Sequence, residues 1–412
     1  MKPFFEVQSV EKVWARAEGL APLDSEEVPL AQALGRSLAQ DLRAPHDLPG
    51  FNRATMDGYA VRAADTFGAG ETEPAYLELA GEVVMGRAPE FTLGPGQCAR
   101  IGTGGMLPRG ADAVVMVEHT RLMPDGTVEV ARAVAPGGNT LGPADDAARD
   151  ELLLPAGQRL RPQDLGLLAA LGCARVRVYR RPRAGILSTG DEVVPVEAEP
   201  GPGQVRDVNS YSLAALVSQA GGEPVRLGLV PDHETSLRRA VERSLAECDL
   251  TLLSGGSSVG ARDLTVGVFT ALPGARLLVH GVSISPGKPF IWVQAGGHQL
   301  LGLPGQVASA VVAFYVLVEP MFERLLGRPA RAFTRFGRLQ ARLARNLPSA
   351  PGREEYWRVR VRQQDSQWLA EPVFGKSGLI RTLTQGQGLV RIPLESEGLY
   401  QDETVTVLTF PA

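Results

Sequence analysis

The chain has 412 residues, more than the ~250–300 at which a single hydrophobic core stops growing, so two to four domains are expected. Its net charge of −4 argues against a nucleic-acid-binding surface. The first twenty residues lack the apolar stretch of a signal peptide, and the longest apolar run, Ala310 to Val318, is too short to cross a membrane. We therefore expect a cytoplasmic protein without nucleic-acid or membrane partners.

The three cysteines give no sign of a metal site or of disulfide bonds. Cys98, Cys173 and Cys248 lie far apart, and none belongs to a CxxC or Cys/His pair. Reduced and mostly buried thiols are the simpler expectation.

The beginning of the chain carries helical patterning. Apolar residues from Val10 to Ala17 fall on one face of a helix, and a second amphipathic run passes through Leu30, Leu34 and Leu38. Helical character returns after Arg161, where Pro162 suits the first turn of a helix. These segments predict one discontinuous helical domain, residues 1–45 and 140–178.

The stretch between those two segments has a different pattern. Short β-rich runs at 76–80, 98–101 and 113–117 are separated by Gly and Pro. We therefore predict that residues 46–139 form a β-rich insert domain.

Strands and helices alternate between residues 179 and 327, which predicts βαβ units with a parallel, doubly wound sheet. The ligands of such sheets bind at the carboxyl ends of the strands. The predicted strands are 184–187, 225–230, 250–254 and 277–284, and the predicted helices are 209–220, 234–247, one from Asp263, and 307–326.

Beyond Gly327-Arg-Pro329, the sequence favours a small all-β domain, residues 328–412. Apolar and polar residues alternate over 354–364, a turn is expected at Asp365-Ser366, and another β-rich run covers 404–410. A barrel or a sandwich would satisfy this pattern.

The most informative local motif runs from Ser254 to Asp263, SGGSSVGARD, directly after an apolar strand. Small residues let the backbone approach a ligand closely, and the free N–H groups of a helix N-terminus favour an anion. The motif is neither a Walker A nor a GxGxxG loop. A tight turn between strand and helix without any ligand remains an alternative.

A second strand ends in the motif STGDE, Ser188 to Glu192, and Asp207, Asn209 and Ser210 follow before a helix. Because both loops leave the carboxyl ends of parallel strands, we expect them to meet in one crevice. Clustered carboxylates beside an anion loop suit Mg²⁺. Helix capping explains Asp207, Asn209 and Ser210 equally well.

Weaker motifs occur elsewhere in the chain. Ser285-Pro-Gly-Lys-Pro289, with Ser309 downstream, can fix a lysine and a helix start around an oxyanion. In the β-rich insert, Asp57 precedes a glycine and Thr103 lies in a glycine-rich turn, both of which are compatible with ordinary loops.

Taken together and in this order, these segments resemble the molybdopterin molybdotransferase family, the bacterial relatives of the gephyrin E domain. The resemblance rests on PGFNRATMDGYAVR, RIGTGG, ADAVVMVE, GILSTGDEVV, RDVNSYSL, LLSGGSSVGARD, SPGKP, GLPG and GREEYWRV, and it runs from about residue 8 to the C-terminus.

The resemblance implies an elongated homodimer of four-domain subunits whose central domain is similar to molybdopterin adenylyltransferases. It also implies an Mg²⁺-dependent reaction in which molybdate and adenylylated molybdopterin give molybdenum cofactor and AMP. Molybdopterin adenylyltransferase and molybdoenzymes are the protein partners that it suggests.

The resemblance also implies roles for individual residues in a site that crosses the dimer interface. The catalytic group comprises Asp57, Asp191, Glu192 and Asp263, of which the last three would also hold the metal. Substrate binding is assigned to Thr103, Ser188, Thr189, Gly190, Ser254, Gly255, Gly256, Ser257, Ser258 and Gly260. Molybdate binding is assigned to Lys288, Ser309, Arg353 and Ser377.

The sequence departs from the family pattern mainly on the molybdate side. Lysines that are usual in the family are replaced by Gly281 and Ser285, and Gln306-Val307 stands where Asn-Pro is usual. In the helical domain, Ala144-Asp-Asp146 replaces Gly-Glu-Asp, and Leu141 replaces an arginine. Loss of a lysine is expected to weaken oxyanion binding, unless Arg262 or Arg358 takes its place.

Two other functions are compatible with these residues. A catalytically weakened paralogue would bind a pterin nucleotide and act as a dimeric scaffold, which the replaced lysines favour. A molybdopterin adenylyltransferase would share the Ser/Gly loop but would need neither residues 1–178 nor the C-terminal β domain. The retained acids and Lys288 favour the molybdotransferase.

Overall fold

The computed structural model describes residues 7–255 and 259–411, with side chains for all of these except 259–262. The first segment contains helix α1 (Val10–Glu18) and strands β1 (Ser25–Pro29) and β2 (Leu42–Arg43). Ser9 caps α1 by accepting a hydrogen bond from the Lys12 N–H at 3.4 Å.

The second helix predicted through Leu30, Leu34 and Leu38 is wrong. The chain forms β1 and then only a short 3-10 turn, Leu30–Gln32. Leu34 is exposed, and the following Gly35 has a φ of 73°, which ends any helical continuation. The apolar residues of this run make contacts from a strand and a turn. Their spacing along the sequence resembles that of a helix, which is why the prediction was wrong.

The insert predicted to be β-rich is confirmed in its secondary structure. It forms a six-stranded sheet in the order β7-β4-β6-β5-β9-β8, and β3 lies outside this sheet. Its strands are β3 (Arg53–Ala54), β4 (Gly58–Val61), β5 (Ala75–Glu82), β6 (Gln97–Ile101), β7 (Ala113–Met116), β8 (Thr120–Leu122) and β9 (Thr127–Val130).

After the insert, the chain returns to the first segment. Strand β11 pairs with β2 and strand β12 with β1, and Val28, Leu38, Leu160 and Val176 share one hydrophobic cluster. This shared core supports the discontinuous unit predicted from the sequence, although much of it is strand and turn. The elements are β10 (Thr140–Leu141), β11 (Leu152–Leu154), α2 (Pro162–Ala170) and β12 (Arg175–Tyr179).

The central region follows the predicted alternation closely. Its strands are β13 (Arg183–Thr189), β14 (Val193–Val194), β15 (Val205–Arg206), β16 (Glu223–Val230), β17 (Leu250–Ser254), β18 (Ala275–His280), β19 (Ile284–Ser285), β20 (Ile291–Ala295) and β21 (His298–Leu303). Its helices are α3 (Asn209–Ala220), α4 (Glu234–Glu247), α5 (Val259–Thr270), α6 (Val307–Ala313) and α7 (Glu319–Leu325), and a π-helical turn, Phe314–Val318, joins the last two.

The central sheet has the order β16-β13-β17-β21-β20-β18. The first four strands are parallel, as predicted, whereas β20 and β18 are antiparallel to their neighbours. Helices α3 and α6 pack in the hydrophobic cluster on one face, and α4 and α5 pack in the cluster on the other. The doubly wound architecture is therefore confirmed, and the wholly parallel sheet is not.

The C-terminal region is a closed β barrel, which resolves the choice between barrel and sandwich. Strands pair in the ring β24-β25-β22-β28-β26, and β26 returns to β24. The predicted turn at Asp365-Ser366 joins β24 to β25. The elements are β22 (Gly337–Leu343), β23 (Leu347–Pro348), β24 (Glu354–Gln364), β25 (Gln367–Pro372), α8 (Arg381–Gln385), β26 (Gly388–Ile392), β27 (Gly398–Leu399) and β28 (Thr404–Thr409).

A buried ionic network joins α7 to the segment that leads into the barrel. Arg328 donates to both carboxylate oxygens of Glu323, at 2.5 and 2.9 Å, and also to the Ser37 hydroxyl. Glu319 accepts from the Phe333 N–H at 2.9 Å. Burial raises the pKa of Glu319 to about 7, and burial lowers the pKa of Arg335 to about 10. This network holds the segment that leads into the barrel against α7 and Ser37.

Glu319 should make stability depend on pH near neutrality. Its folded-state pKa of about 7 lies above the ordinary 4.5, so the folded state holds the proton more tightly between these values. The free energy of unfolding should therefore fall by up to ~3 kcal/mol as pH rises from 5 to 8. Glu319→Gln should flatten that dependence in urea unfolding, and an identical profile in the variant and the wild type would contradict this assignment.

None of the helices within residues 7–255 and 259–411 combines the length and apolarity that crossing a bilayer requires. The division into four domains at the predicted boundaries remains a proposal, which the separate hydrophobic clusters of the insert and the barrel support.

Candidate active site

The two loops predicted to form a crevice leave neighbouring strands of the central sheet. Ser188 of β13 and Ser254 of β17 are register partners. Gly190 and Gly255 follow them with φ values of 146° and 142°. A Cβ atom on Gly255 would lie 2.1 Å from the Thr189 carbonyl oxygen, so only glycine allows the loops to approach this closely.

Asp207 ties the end of β13 to the start of α3. Its Oδ1 accepts from the Ser188 hydroxyl and from the Ser210 N–H, both at 3.1 Å. The Ser188 and Ser210 hydroxyls are 2.9 Å apart. The capping interpretation of Asp207 is therefore confirmed, and the same carboxylate also fixes the strand end.

Asn209 joins three segments of the site. Its Nδ2 donates to the Ser254 Oγ at 2.6 Å and to the Gly305 carbonyl oxygen at 2.8 Å. Its Oδ1 is buried and accepts no hydrogen bond within the described part of the chain. The capping interpretation is therefore not borne out for Asn209, whose side chain instead couples the β17 end to the loop before α6.

These loops surround a cavity of about 520 Å³, which we call the strand-end cavity. Among its described lining residues Arg206 is the one cation, opposed by the acids Glu192 and Asp207. Its predicted residues are Ser188, Thr189, Glu192, Ser254 and Gly255. The predicted convergence of these two loops on one crevice is therefore confirmed.

The three acids proposed as metal ligands do not form a cluster within the described residues. Asp191 accepts from the Asp232 N–H at 3.2 Å, and Thr189 donates to the Asp232 carboxylate at 2.5 Å. Asp263 lies at an exposed position of α5. In residues 7–255 and 259–411, no three His, Cys, Asp or Glu side chains form a group that could hold a metal unaided.

The structure describes only part of the predicted Ser/Gly loop. Gly256, Ser257 and Ser258 lie outside the described residues, and Gly260 is described only as part of α5. Their predicted contact with a nucleotide remains a prediction.

All four residues predicted to bind molybdate line a second cavity, of about 590 Å³, which we call the oxyanion cavity. Lys288, Ser309, Arg353 and Ser377 come from four segments that are far apart in the sequence. Arg353 donates from Nε to the buried Glu355 at 2.8 Å, and Glu355 also accepts from Trp357 Nε1 at 3.0 Å. Part of the Arg353 charge is therefore balanced within the chain.

Asp57 and Thr103 form a pair in the insert, away from both cavities. The Thr103 N–H and hydroxyl each donate to Asp57 Oδ1 at 2.7 Å. These bonds, the backbone one first, lower the pKa of Asp57. Both residues are exposed and line neither cavity. Within one chain, the structure does not bring them to the site.

The replaced lysines have different structural settings. Ser285 lines the oxyanion cavity, whereas Gly281 has a φ of 97°, a conformation that a lysine would adopt only with strain. Arg358 does not take the place of a lost lysine: it is buried, donates to the Gly375 carbonyl oxygen at 2.9 Å, and does not line the oxyanion cavity. The Arg262 side chain lies outside the described residues.

Sequence reasoning missed Asp232, Glu355 and the partnership of Gln306 with Ser377. Asp232 follows β16 at the same sheet edge as the other loops, so its position after a parallel strand was a usable signal. Glu355 lies within the GREEYWRV motif, two residues after Arg353. A cavity of about 630 Å³ near Trp14, Tyr356 and Arg391 contains none of the predicted residues.

Three stretches match family models: 8–172 match the MoeA N-terminal region (domains I and II), 185–324 a probable molybdopterin binding domain, and 340–410 the MoeA C-terminal region (domain IV). A molybdopterin molybdenumtransferase from Nostoc sp. is 36% identical over 393 residues, covering 94% of this chain and 89% of the relative. The one from Haemophilus influenzae is 32% identical, covering 94% of this chain and 95% of the relative.

The fold is similar to that of a solved molybdopterin biosynthesis MoeA protein from Pyrococcus horikoshii. One structure has a TM-score of 0.82 at 36% identity, covering 99% of this chain and all of the other; a second has a TM-score of 0.84 at 30% identity, covering 98% of this chain and all of the other. The chain therefore belongs to the MoeA family, the molybdopterin molybdotransferases, as its sequence motifs indicated.

Proposed function

We propose that this protein inserts molybdate into adenylylated molybdopterin, giving molybdenum cofactor and releasing AMP. One observation carries the proposal: Lys288, Ser309, Arg353 and Ser377 line one cavity, next to the loops that surround the strand-end cavity. The names of the relatives, molybdopterin molybdenumtransferases, support this function rather than a scaffold without activity.

The residue types of the oxyanion cavity suit a tetrahedral dianion. Lys288 and Arg353 supply positive charge, and the hydroxyls of Ser309 and Ser377 supply directed donors. The strand-end cavity offers Arg206, the Ser188 and Thr189 loop and the glycine Gly255, which suit a nucleotide. The adjacency of the two cavities would place an oxyanion beside a bound pterin nucleotide.

The proposal also includes a bound Mg²⁺ ion. Mg²⁺ is usually held by one or two carboxylates together with phosphate oxygens and water. Asp191, Glu192 and Asp263 would therefore hold it only with the phosphates of the substrate, which fits their failure to form a group of three unaided. When bound, the ion would neutralise charge on the phosphoanhydride. The cytoplasmic location and contacts with adenylyltransferase or molybdoenzymes remain predictions.

The direct test is to incubate the protein with adenylylated molybdopterin, Mg²⁺ and graded molybdate. AMP release and cofactor formation should both rise with molybdate, and Asp263→Ala should reduce both. Catalysis that consumes ATP and free molybdopterin would instead indicate an adenylyltransferase. Nucleotide binding without turnover would indicate the scaffold, so either result contradicts the proposal.

We also propose that Asp57 and Thr103 complete the site of a second subunit, because both are exposed and neither reaches a cavity of its own chain. At molybdate concentrations near the wild-type Kd, Asp57→Ala and Lys288→Met should each be nearly inactive alone. After subunit exchange, half of the dimers are mixed and each holds one intact site, so about a quarter of wild-type activity should return. No recovery in the mixture, with subunit exchange verified, would contradict the shared site.

Restoring a lysine should strengthen the oxyanion cavity. Ser285→Lys adds a cation to the cavity wall, and we expect molybdate to bind about tenfold more tightly, after the cost of ordering the new side chain. Isothermal titration with molybdate measures the change. Ser285→Met, of similar length but uncharged, is the matched control, and an equal gain in that variant would show that charge is not the cause.

A further inference from the structure

The two cavities share a wall made by two short segments. On one side, Gln306 and Val307 line the strand-end cavity and Ser309 lines the oxyanion cavity. On the other, Gly378 lines the strand-end cavity and Ser377 lines the oxyanion cavity. Any ligand that spans the two sites must pass along or displace this wall.

One side-chain hydrogen bond closes the wall. The Ser377 hydroxyl donates to the Gln306 side-chain carbonyl oxygen. The backbone beneath it is fixed, since the Ala308 N–H donates to the Ser377 carbonyl oxygen at 3.1 Å, and buried Arg358 donates to the Gly375 carbonyl oxygen two residues earlier. The side-chain bond can therefore break while the backbone of Ser377 stays in position.

A serine hydroxyl has a single proton, so Ser377 donates either to Gln306 or to an oxyanion. Molybdate oxygens are acceptors only, and binding them requires that proton. Gln306 is exposed on the strand-end side, and its Nε2 donates no hydrogen bond within the described residues. A phosphate in the strand-end cavity is an acceptor that would draw this amide away from Ser377.

We propose that Gln306 couples the two cavities: it occupies the Ser377 hydroxyl until a phosphate-bearing ligand in the strand-end cavity withdraws it, so nucleotide binding strengthens oxyanion binding. This rests on the proposed function, because it assigns the nucleotide and the oxyanion to these cavities. The coupling is reciprocal, and molybdate strengthens AMP binding by the same factor.

The test measures molybdate affinity by isothermal titration with and without saturating AMP. In the wild type, AMP should tighten molybdate binding about fivefold, which corresponds to ~1 kcal/mol, the net strength of an ordinary hydrogen bond. Gln306→Met should bind molybdate about fivefold more tightly without AMP and gain nothing from it. Ser377→Ala should bind weakly and be insensitive to AMP.

Gln204→Met is the matched control, since Gln204 is an exposed glutamine that accepts from the Gly201 N–H and lines neither cavity. It should behave as the wild type. If AMP and molybdate each bind but AMP leaves molybdate affinity unchanged, or if Gln306→Met keeps the AMP effect, the coupling is wrong and the proposed function stands. If neither ligand binds the wild type, the proposed function fails and the coupling fails with it.

Discussion

Replacing Lys288 with methionine is expected to weaken molybdate binding roughly 30- to 150-fold, or ~2–3 kcal/mol, the range for a hydrogen bond to a charged group. The oxyanion cavity offers two described cations, and Arg353 already shares its charge with the buried Glu355. Lys288 is one of these two cations, so its removal should take away a large part of the attraction for a dianion. Isothermal titration with molybdate measures the loss directly, and AMP release at graded molybdate measures its effect on turnover.

Lys376→Met is the matched control for this change. Lys376 precedes Ser377, is exposed, and lines neither cavity. Its removal lowers the net charge by the same amount and should change molybdate affinity less than threefold, since a charge in solvent is screened. Equal losses in the two variants would mean that overall charge, and not the cavity, determines binding.

The largest stability effect is expected at Glu323. Its side chain is 4% exposed and receives two hydrogen bonds from Arg328, which is 12% exposed. Glu323→Gln keeps the shape but leaves Arg328 buried beside Arg335 without its counter-charge. Breaking a buried pair in this way costs ~3–5 kcal/mol of unfolding free energy.

Urea unfolding, followed by fluorescence and circular dichroism, should show this loss in the transition that includes the barrel junction. Glu247→Gln is the comparison, because Glu247 makes an exposed pair with Arg243 one helical turn away. That variant should differ from the wild type by less than ~1 kcal/mol. If the two substitutions cost the same, the junction does not depend on a buried charge pair.

Local patterns predicted the regular elements of the central region well. Helix α3 has the predicted bounds, and the long helix after Val307 differs only by its π-helical turn. The prediction failed where long-range pairing decides the structure. The run through Leu38 looks helical but follows a strand that pairs with β12, more than a hundred residues away. The β20–β21 hairpin was also missed, although its Gly296-Gly297 loop between two apolar runs is a local hairpin signal.

The candidate site shows the same contrast between features that local patterns predict and features that depend on long-range contacts. Convergence of the Ser188 and Ser254 loops followed from the rule for parallel strands, so sequence reasoning predicted it. No sequence rule predicts that Lys288 and Ser377 line the same cavity, because no local pattern links residues of different regions. Only the family resemblance placed them together. The Gln306–Ser377 bond is a contact between side chains and required the structure.

Strand β19 attaches one wall of the oxyanion cavity to the barrel. Ile284 and Ser285 follow the central strand β18 in the chain, yet they pair with Glu354 and Glu355 of the barrel sheet. The loop that bears Lys288 is thus attached, through β19, to the barrel strand that begins next to Arg353. If the barrel tilts, Arg353 and the Lys288 loop move with it, whereas the Ala308–Ser377 backbone bond keeps Ser377 beside α6. The distance from Lys288 and Arg353 to Ser309 on α6 is then the one that changes. A spectroscopic probe pair spanning that gap would follow the opening and closing of the cavity.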